Sequence, residues 1–228
     1  VKGLANLGTV KDIIQSDFSE INGDGYLVLS PKVLHAGNFG IPQSRERIFF
    51  IGLKKSALSK KALKELSKAS ISEKYSPYPV PTHRLNGEMH YSSVENEMIT
   101  FTQCKNVLLD LKEPEKSKDL SQIYYSKAKF MGKHCQGQKE IKLDKLAPTI
   151  RAEHHGNIEF RRLSKKNGGI LSNELSKGLK ERRLTPRECA LIQTFPPDYE
   201  FVIANKQGRK GSYLVSPSKA YKVIGNAV

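Results

Sequence analysis

The sequence predicts an α/β protein, and three stretches carry that prediction. Val10, Ile13, Ile14, Phe18 and Ile21 recur at helical spacing, and Asn22-Gly23-Asp24-Gly25 then breaks the helix with two glycines. "RIFFIGL", Arg47 to Leu53, is β-branched and aromatic without alternation. That is the pattern of a strand covered on both faces in a parallel or mixed sheet. "RRLTPRECALIQTF" holds a complete helix start, with Thr185 as N-cap, Pro186 at the first helical position and Glu188 as capping-box partner.

The elements between these follow in order. "YLVLSPKVLHA" reads as a strand that Pro31 makes an edge or a bulged one. Gly40-Ile41-Pro42 is a turn. A lysine-rich helix is expected near 57–69, and "YSPYPVPTH" with its three prolines must be extended or turning. Further on, a helix near 119–131, strands at "APTIRAE" and "IEFRRL", and an exposed turn at "KKNGG" are expected. "FPPDYEF" ends the capped helix, and a second helix starts at Ser216-Pro217 and runs through "KAYKVI" to Gly225-Asn226. The change in character between ordered ends and a Lys-, Ser- and Glu-rich middle divides the chain into residues 1–54, 55–180 and 181–228.

Composition narrows the function classes. The chain has 228 residues, with 38 Lys and Arg against 23 Asp and Glu, a net charge of +15. A surplus of that size points to a polyanionic partner, nucleic acid first and anionic membrane second. Part of it, such as "LKKSALSKKALKELSKAS", is equally well read as a solvated helix face. No apolar run approaches membrane-spanning length, and no charged-then-apolar signal segment opens the chain. Three widely spaced cysteines give neither a disulfide framework nor a zinc site, which suggests a reducing, cytoplasmic setting. The opening "VKGL" lacks a methionine and the ending "IGNAV" carries no stop signal, so residues are expected to be missing on either side.

Two stretches concentrate side chains with chemistry. In "PQSRER", an extended backbone would project Gln43, Arg45 and Arg47 on one side. Guanidinium forks suit phosphate or a base edge; pairing with Glu46 or another acid, purely to hold the fold, is the competing reading. "RAEHHGNIEFRR" gathers Arg, His, Asn and aromatic character of the kind that reads base edges and contacts phosphates. His154 and His155 would point to opposite faces of a strand, which argues against a metal site. No glycine-rich strand-to-helix turn with a downstream acid is present, and no nucleophile is assembled with its base. From the residues alone, the chain is a basic α/β nucleic-acid-binding protein and part of something larger.

Three segments together resemble the DNA cytosine carbon-5 methyltransferases. "GIPQSRERIFFIG" is similar to that family's motif VIII, with its Gln-x-Arg-x-Arg core. "RRLTPRECALIQTFPPDYEF" resembles motif IX, and "SPSKAYKVIGNAV" resembles motif X. They stand in the family's order, with a long variable stretch between the first and second. "VKGL" also continues from the valine of the family's motif VI.

The resemblance implies the C-terminal part of a doubly wound S-adenosylmethionine-dependent methyltransferase domain plus a small mixed α+β target-recognition domain. On that reading residues 1–54 are the last strands of the catalytic domain, 55–180 the recognition domain, and 181–228 the helices joining them. The family flips its target cytosine out of the duplex. By the motif match, Arg47 would contact the flipped base, while Arg45 and Gln43 hold the pocket. Thr149 and Ile150 match a Thr-plus-branched pair in the recognition region, with Arg151, His154, His155 and Asn157 as candidates for base contacts. Arg187 and Glu188 would organise the domain junction; Gly225, Asn226 and Val228 would line the cofactor pocket. The glycine-rich cofactor turn, the catalytic Pro-Cys and the motif VI glutamate are not in these residues. The S-adenosylmethionine pocket is therefore incomplete in this chain, which alone is expected to be inactive. Implied partners are double-stranded DNA and a missing N-terminal catalytic segment or subunit, with no membrane, in a bacterial restriction–modification setting and bound at the nucleoid. A non-catalytic DNA-binding subunit that recognises sequence without methylating it is the alternative.

Overall fold

The computed structural model describes residues 8–21, 23–68, 70–84, 99–135, 138–152, 159–170, 172–209 and 211–227. The chain is a mixed α/β protein that divides into two compact units. The first comprises residues 1–35 and 46–82, the second 36–45 and 83–228. Residues 55–82 gather with the N-terminal elements, and 181–228 belong to one compact body with 83–180.

In the first unit, helix α1 (Gly8–Glu20) forms where the apolar spacing predicts it, and Phe18 meets Tyr26 edge to face at 6.2 Å. Gly25 ends this segment with φ +62, and its amide donates to the Ile21 carbonyl at 2.9 Å. A Cβ there would lie 1.7 Å from the Ser19 carbonyl oxygen, so only glycine closes this turn.

A long antiparallel pairing follows. Strand β1 (Tyr26–Val28) pairs with β4 (Gly52–Lys54), and β2 (Lys32–His35) pairs with β3 (Glu46–Phe49). Between the two ladders, Leu29, Ser30 and Pro31 stand opposite only Phe50 and Ile51. This is the bulge that Pro31 predicted, since proline has no N–H to give a ladder. The Tyr78 hydroxyl reaches the carbonyls of Ser30 at 3.0 Å and Phe49 at 3.2 Å, one on each arm beside the break. The expectation for "RIFFIGL" is corrected by this geometry. It is not one strand buried on both faces but two short strands broken by the bulge, with Phe49 39% exposed. The lysine-rich helix is α2 (Lys60–Leu66), capped by the Ser59 hydroxyl accepting from the Ala62 amide at 3.2 Å.

The second unit holds β5 (His83–Arg84) parallel to β6 (Ile99–Thr100), helix α3 (Cys104–Leu108) and helix α4 (Leu120–Ile123). Then come β7 (Phe160–Arg162), α5 (Ser172–Ser176), β8 (Arg182–Arg183), α6 (Pro186–Ile192), β9 (Ile203–Ala204), β10 (Tyr213–Val215) and α7 (Pro217–Asn226). β7 pairs antiparallel with β8, and β9 with β10. Helix α6 packs against α3, α4 and α7, so it is the axis of this unit. Its capping box is complete: Thr185 Oγ1 accepts from the Glu188 amide at 3.0 Å and Glu188 accepts from the Thr185 amide at 2.9 Å. α6 ends before the prolines, with Thr194 in the left-handed region at φ +61. α7 starts as expected, with the Ser216 hydroxyl accepting from the Lys219 amide at 3.3 Å.

Two further expectations are corrected. The helix near 119–131 stops at Ile123, because the following backbone is drawn into extended contacts. The Ser126 amide donates to the Tyr221 hydroxyl at 3.2 Å, and Arg183 Nε donates to the Ala128 carbonyl at 3.3 Å. "APTIRAE" forms no strand in its described residues, 147–152, beyond a single parallel bridge from Ala147 to Gln43. Side chains take up the Ile150 amide and carbonyl that a ladder would use.

Beside α6 lies a network of buried charge. Arg182 makes a fork-to-fork pair with Glu188 at 2.8 and 2.9 Å, and its Nε reaches Glu113 at 3.1 Å. Arg162, with no exposed surface, pairs with Glu174 at 2.5 Å and also donates to Glu113. Arg187 Nε reaches Asp119 at 2.5 Å and its Nη2 the Tyr199 carbonyl at 2.8 Å. Burial alone would raise the Glu113 carboxyl, but hydrogen bonds and charge from Arg182 and Arg162 outweigh it and hold it below its usual value. Burial pushes the Cys104 thiol up to about 12, and the fully buried Cys189 thiol is also well above its ordinary value. The cysteines are free, and Cys135 is the one that is partly exposed.

Two outcomes follow from this unit. Because the Glu113 value is depressed on folding, its stabilisation is complete above the unfolded carboxyl value of about 4.3 and fades as pH falls below it. Glu113→Gln is expected to lower stability on the order of 2 kcal/mol at pH 7, less than for a fully enclosed pair. The gap from wild type should narrow steadily as pH falls below the unfolded carboxyl value in paired denaturant melts; a gap that does not change with acid would remove charge from the explanation. In thiol titration with Ellman's reagent, one cysteine, Cys135, should react in the native protein and all three after unfolding. Two fast native thiols would contradict the packing of Cys104 or Cys189.

Candidate nucleic-acid and base-pocket site

Three segments far apart in the chain meet in the second unit. Residues 42–45 run beside 147–150: the Ser44 amide donates to the Ala147 carbonyl at 2.7 Å, and the Ala147 amide to the Pro42 carbonyl at 2.9 Å. Arg45 is the fastening. Its Nη1 donates to the Ile150 carbonyl at 3.0 Å and its Nη2 to the Ala227 carbonyl at 2.7 Å, just past the end of α7. A planar guanidinium presents donors in a fixed fork, so one buried side chain can hold two carbonyls of separate segments.

Gln43 completes the arrangement. It is fully buried, its Oε1 accepts from the Ile150 amide at 3.4 Å, and its Nε2 has no hydrogen-bond partner among the described residues. The Thr149 hydroxyl donates to the Ser44 carbonyl at 2.7 Å. From the other side, α7 comes so close that a Cβ on Gly225 would sit 2.3 Å from the Arg151 carbonyl carbon and the Ala152 nitrogen. Gln193, at the end of α6, donates to the Ile224 carbonyl and ties α6 to the same corner. The motif reading passed over Gln193; its position one residue after the capped helix was the only available signal.

The sequence-derived residues therefore sort as follows. Gln43, Arg45, Thr149, Ile150 and Gly225 are brought together, and Arg151 is half-buried beside them. The expected single row of Gln43, Arg45 and Arg47 is divided. Gln43 and Arg45 are buried in the second unit, while Arg47 is a strand residue of the first, paired with Leu34. Arg47 is half-buried, and its Nη1 donates to the Glu46 carbonyl at 2.7 Å. Arg187 and Glu188 serve packing within the second unit. His154, His155, Asn157 and Val228 lie outside the described residues.

The fit of this corner to S-adenosylmethionine can be tested on Gly225 and Asn226. The space a side chain would need at Gly225 is filled by the backbone of 151–152, not left as a cradle for a ligand. Asn226 is exposed at the end of α7. These described residues do not by themselves wall a cofactor pocket. Chemically, the corner is a fixed set of ties that sets the path of residues 147–150. Among the described residues, no helix is long and apolar enough to cross a membrane.

Comparison with known proteins places these observations. The family of C-5 cytosine-specific DNA methylases matches residues 1–228. The Type II methyltransferase M.BsuRI of Bacillus subtilis is 28% identical over 239 residues, covering 100% of this chain and 45% of that protein. M.HpaII of Haemophilus parainfluenzae is 28% identical, covering 100% of this chain and 54% of that protein. The crystal structure of S. pombe Dnmt2 is similar at a TM-score of 0.43 and 15% identity, over 90% of this chain and 52% of that one. The chain thus spans about half the length of the curated relatives it matches. With the family match running from end to end, the chain belongs to the C-5 cytosine-specific DNA methylases.

Proposed function

We propose that this chain is the carboxyl-terminal portion of a DNA cytosine carbon-5 methyltransferase of a bacterial restriction–modification system. It would recognise a short duplex sequence and help hold the flipped cytosine. The observation that supports this most is the corner itself. Stretches similar to motif VIII, the recognition region and motif X meet through one guanidinium, that of Arg45.

Within that reading the residues divide into two roles. Arg45 and Gln43 are positioning residues, since both are buried and spend hydrogen bonds on the chain's own backbone. Arg47 is the side chain for the flipped base, where a guanidinium offers a charged donor to a ring carbonyl. Thr149, Ile150 and Arg151 present the recognition segment to the duplex, with His154, His155 and Asn157 following in sequence. S-adenosylmethionine supplies the methyl group when bound; its pocket would be completed by residues outside this chain.

The test is transfer of a labelled methyl group from S-adenosylmethionine to duplex DNA, by this chain alone and mixed with a polypeptide carrying the glycine-rich and Pro-Cys motifs. Transfer only in the mixture supports the proposal. Failure in both, with duplex binding retained, would leave a recognition protein without the chemistry. In the active mixture, Arg47→Ala should lower turnover about 100-fold with duplex binding kept, as for loss of a charged donor to the reacting group. Arg45→Ala should instead destabilise the chain by about 2–4 kcal/mol, because two backbone carbonyls lose their donor. Equal melting of the two variants would erase the distinction between holding the base and holding the fold.

A further inference from the structure

Beside Thr149 the second unit has an open cleft of about 370 Å³, lined among others by Ser44, Lys139, Lys142, Lys145 and Thr149. The lysines recur every third residue in "KEIKLDK", and all three are exposed. Their backbone is fixed rather than loose. The Phe160 amide donates to the Lys139 carbonyl and the Ile141 amide to the Phe160 carbonyl, each at 2.9 Å. The Lys105 amide donates to the Leu143 carbonyl at 2.9 Å and the Cys104 amide to the Lys145 carbonyl at 3.0 Å.

The acids of this run offset its lysines only in part. Glu140 also lines the cleft, but it is buried and its two oxygens accept from the Leu163 amide at 2.8 Å and from the Ile170 amide. Asp144 is exposed but does not line the cleft. Lys139 also faces the buried carboxyl of Glu159, whereas Lys142 and Lys145 have no ion pair among the described residues. Unpaired ammonium groups on a rigid segment create a standing positive potential at small reorganisation cost.

We propose that Lys142 and Lys145, with Lys139 at the margin, hold backbone phosphates of duplex DNA and so set the register in which the Thr149 segment meets the bases. The inference rests on the duplex-binding reading above. Phosphate contacts of this kind position a protein on the duplex, while base edges carry the sequence information.

The experiment is the salt dependence of duplex DNA binding by the whole chain, followed by fluorescence anisotropy. The slope of log affinity against log salt should fall by about 0.9 for each lysine removed, so Lys142→Gln with Lys145→Gln should flatten it by about 1.8. Exchanging Lys60 and Lys61 on α2 for Gln removes equal charge from the first unit and should leave the slope near wild type. An unchanged slope in the Lys142/Lys145 variant overturns the cleft proposal while leaving duplex binding in place, as does an equal fall in the Lys60/Lys61 control. No duplex binding by the wild-type chain at low salt overturns the duplex-binding reading and this inference together. Native shielding of Cys104 and Cys189 in each variant shows that the fold is kept.

Discussion

One buried guanidinium holds a corner of the second unit together. Arg45 donates to carbonyls at positions 150 and 227, which lie 105 and 182 residues further along the chain, so three distant stretches share one side chain. A carbonyl in the interior without a donor is costly, and a side chain that serves two of them joins their fates. Gln43 repeats the logic two residues earlier, accepting from the Ile150 amide. Around Ile150, these side chains take the place of ladder partners.

The chain's positive charge is divided between two jobs. Arg162, Arg182 and Arg187 are inside, matched by Glu113, Glu174, Glu188 and Asp119, and they fasten β7, β8 and α6 to one another. Their planar forks suit enclosed pairing with carboxylates. The lysines stay outside, where a compact, strongly hydrated ammonium is at home. The net charge of +15 thus says little about which residues face a polyanion until burial separates the two sets.

Local signals were legible in the sequence. The capping box at Thr185 and Glu188, the start at Ser216-Pro217 and the break at Pro31 are each decided within a few residues, and each appears where expected. What failed to show were features decided at a distance. The apolar run "RIFFIGL" looks continuous, yet the bulge opposite it, set by Pro31 on the partner arm, cuts it in two. The helix expected beyond Ile123 gives way to bonds with Tyr221 and Arg183, which lie far along the chain. In the candidate site, alternation along an ideal strand set Gln43, Arg45 and Arg47 in one row; the strand starts only at Glu46, so the rule does not extend across Ser44 and Arg45. Glu140's inward turn was equally invisible, because nothing local distinguishes it from a carboxylate that would neutralise its lysine neighbours.

Gly225 carries a consequence for how the stretch it presses on tolerates change. The helix presses on the main chain of 151–152, and the bonds to Ala147 and Ile150 are also to main-chain atoms. A segment clamped mainly by its backbone keeps its path when most of its side chains change, Thr149 and the residues that fill the core excepted. The same clamp can therefore accept varied exposed side chains along this stretch without a change of frame.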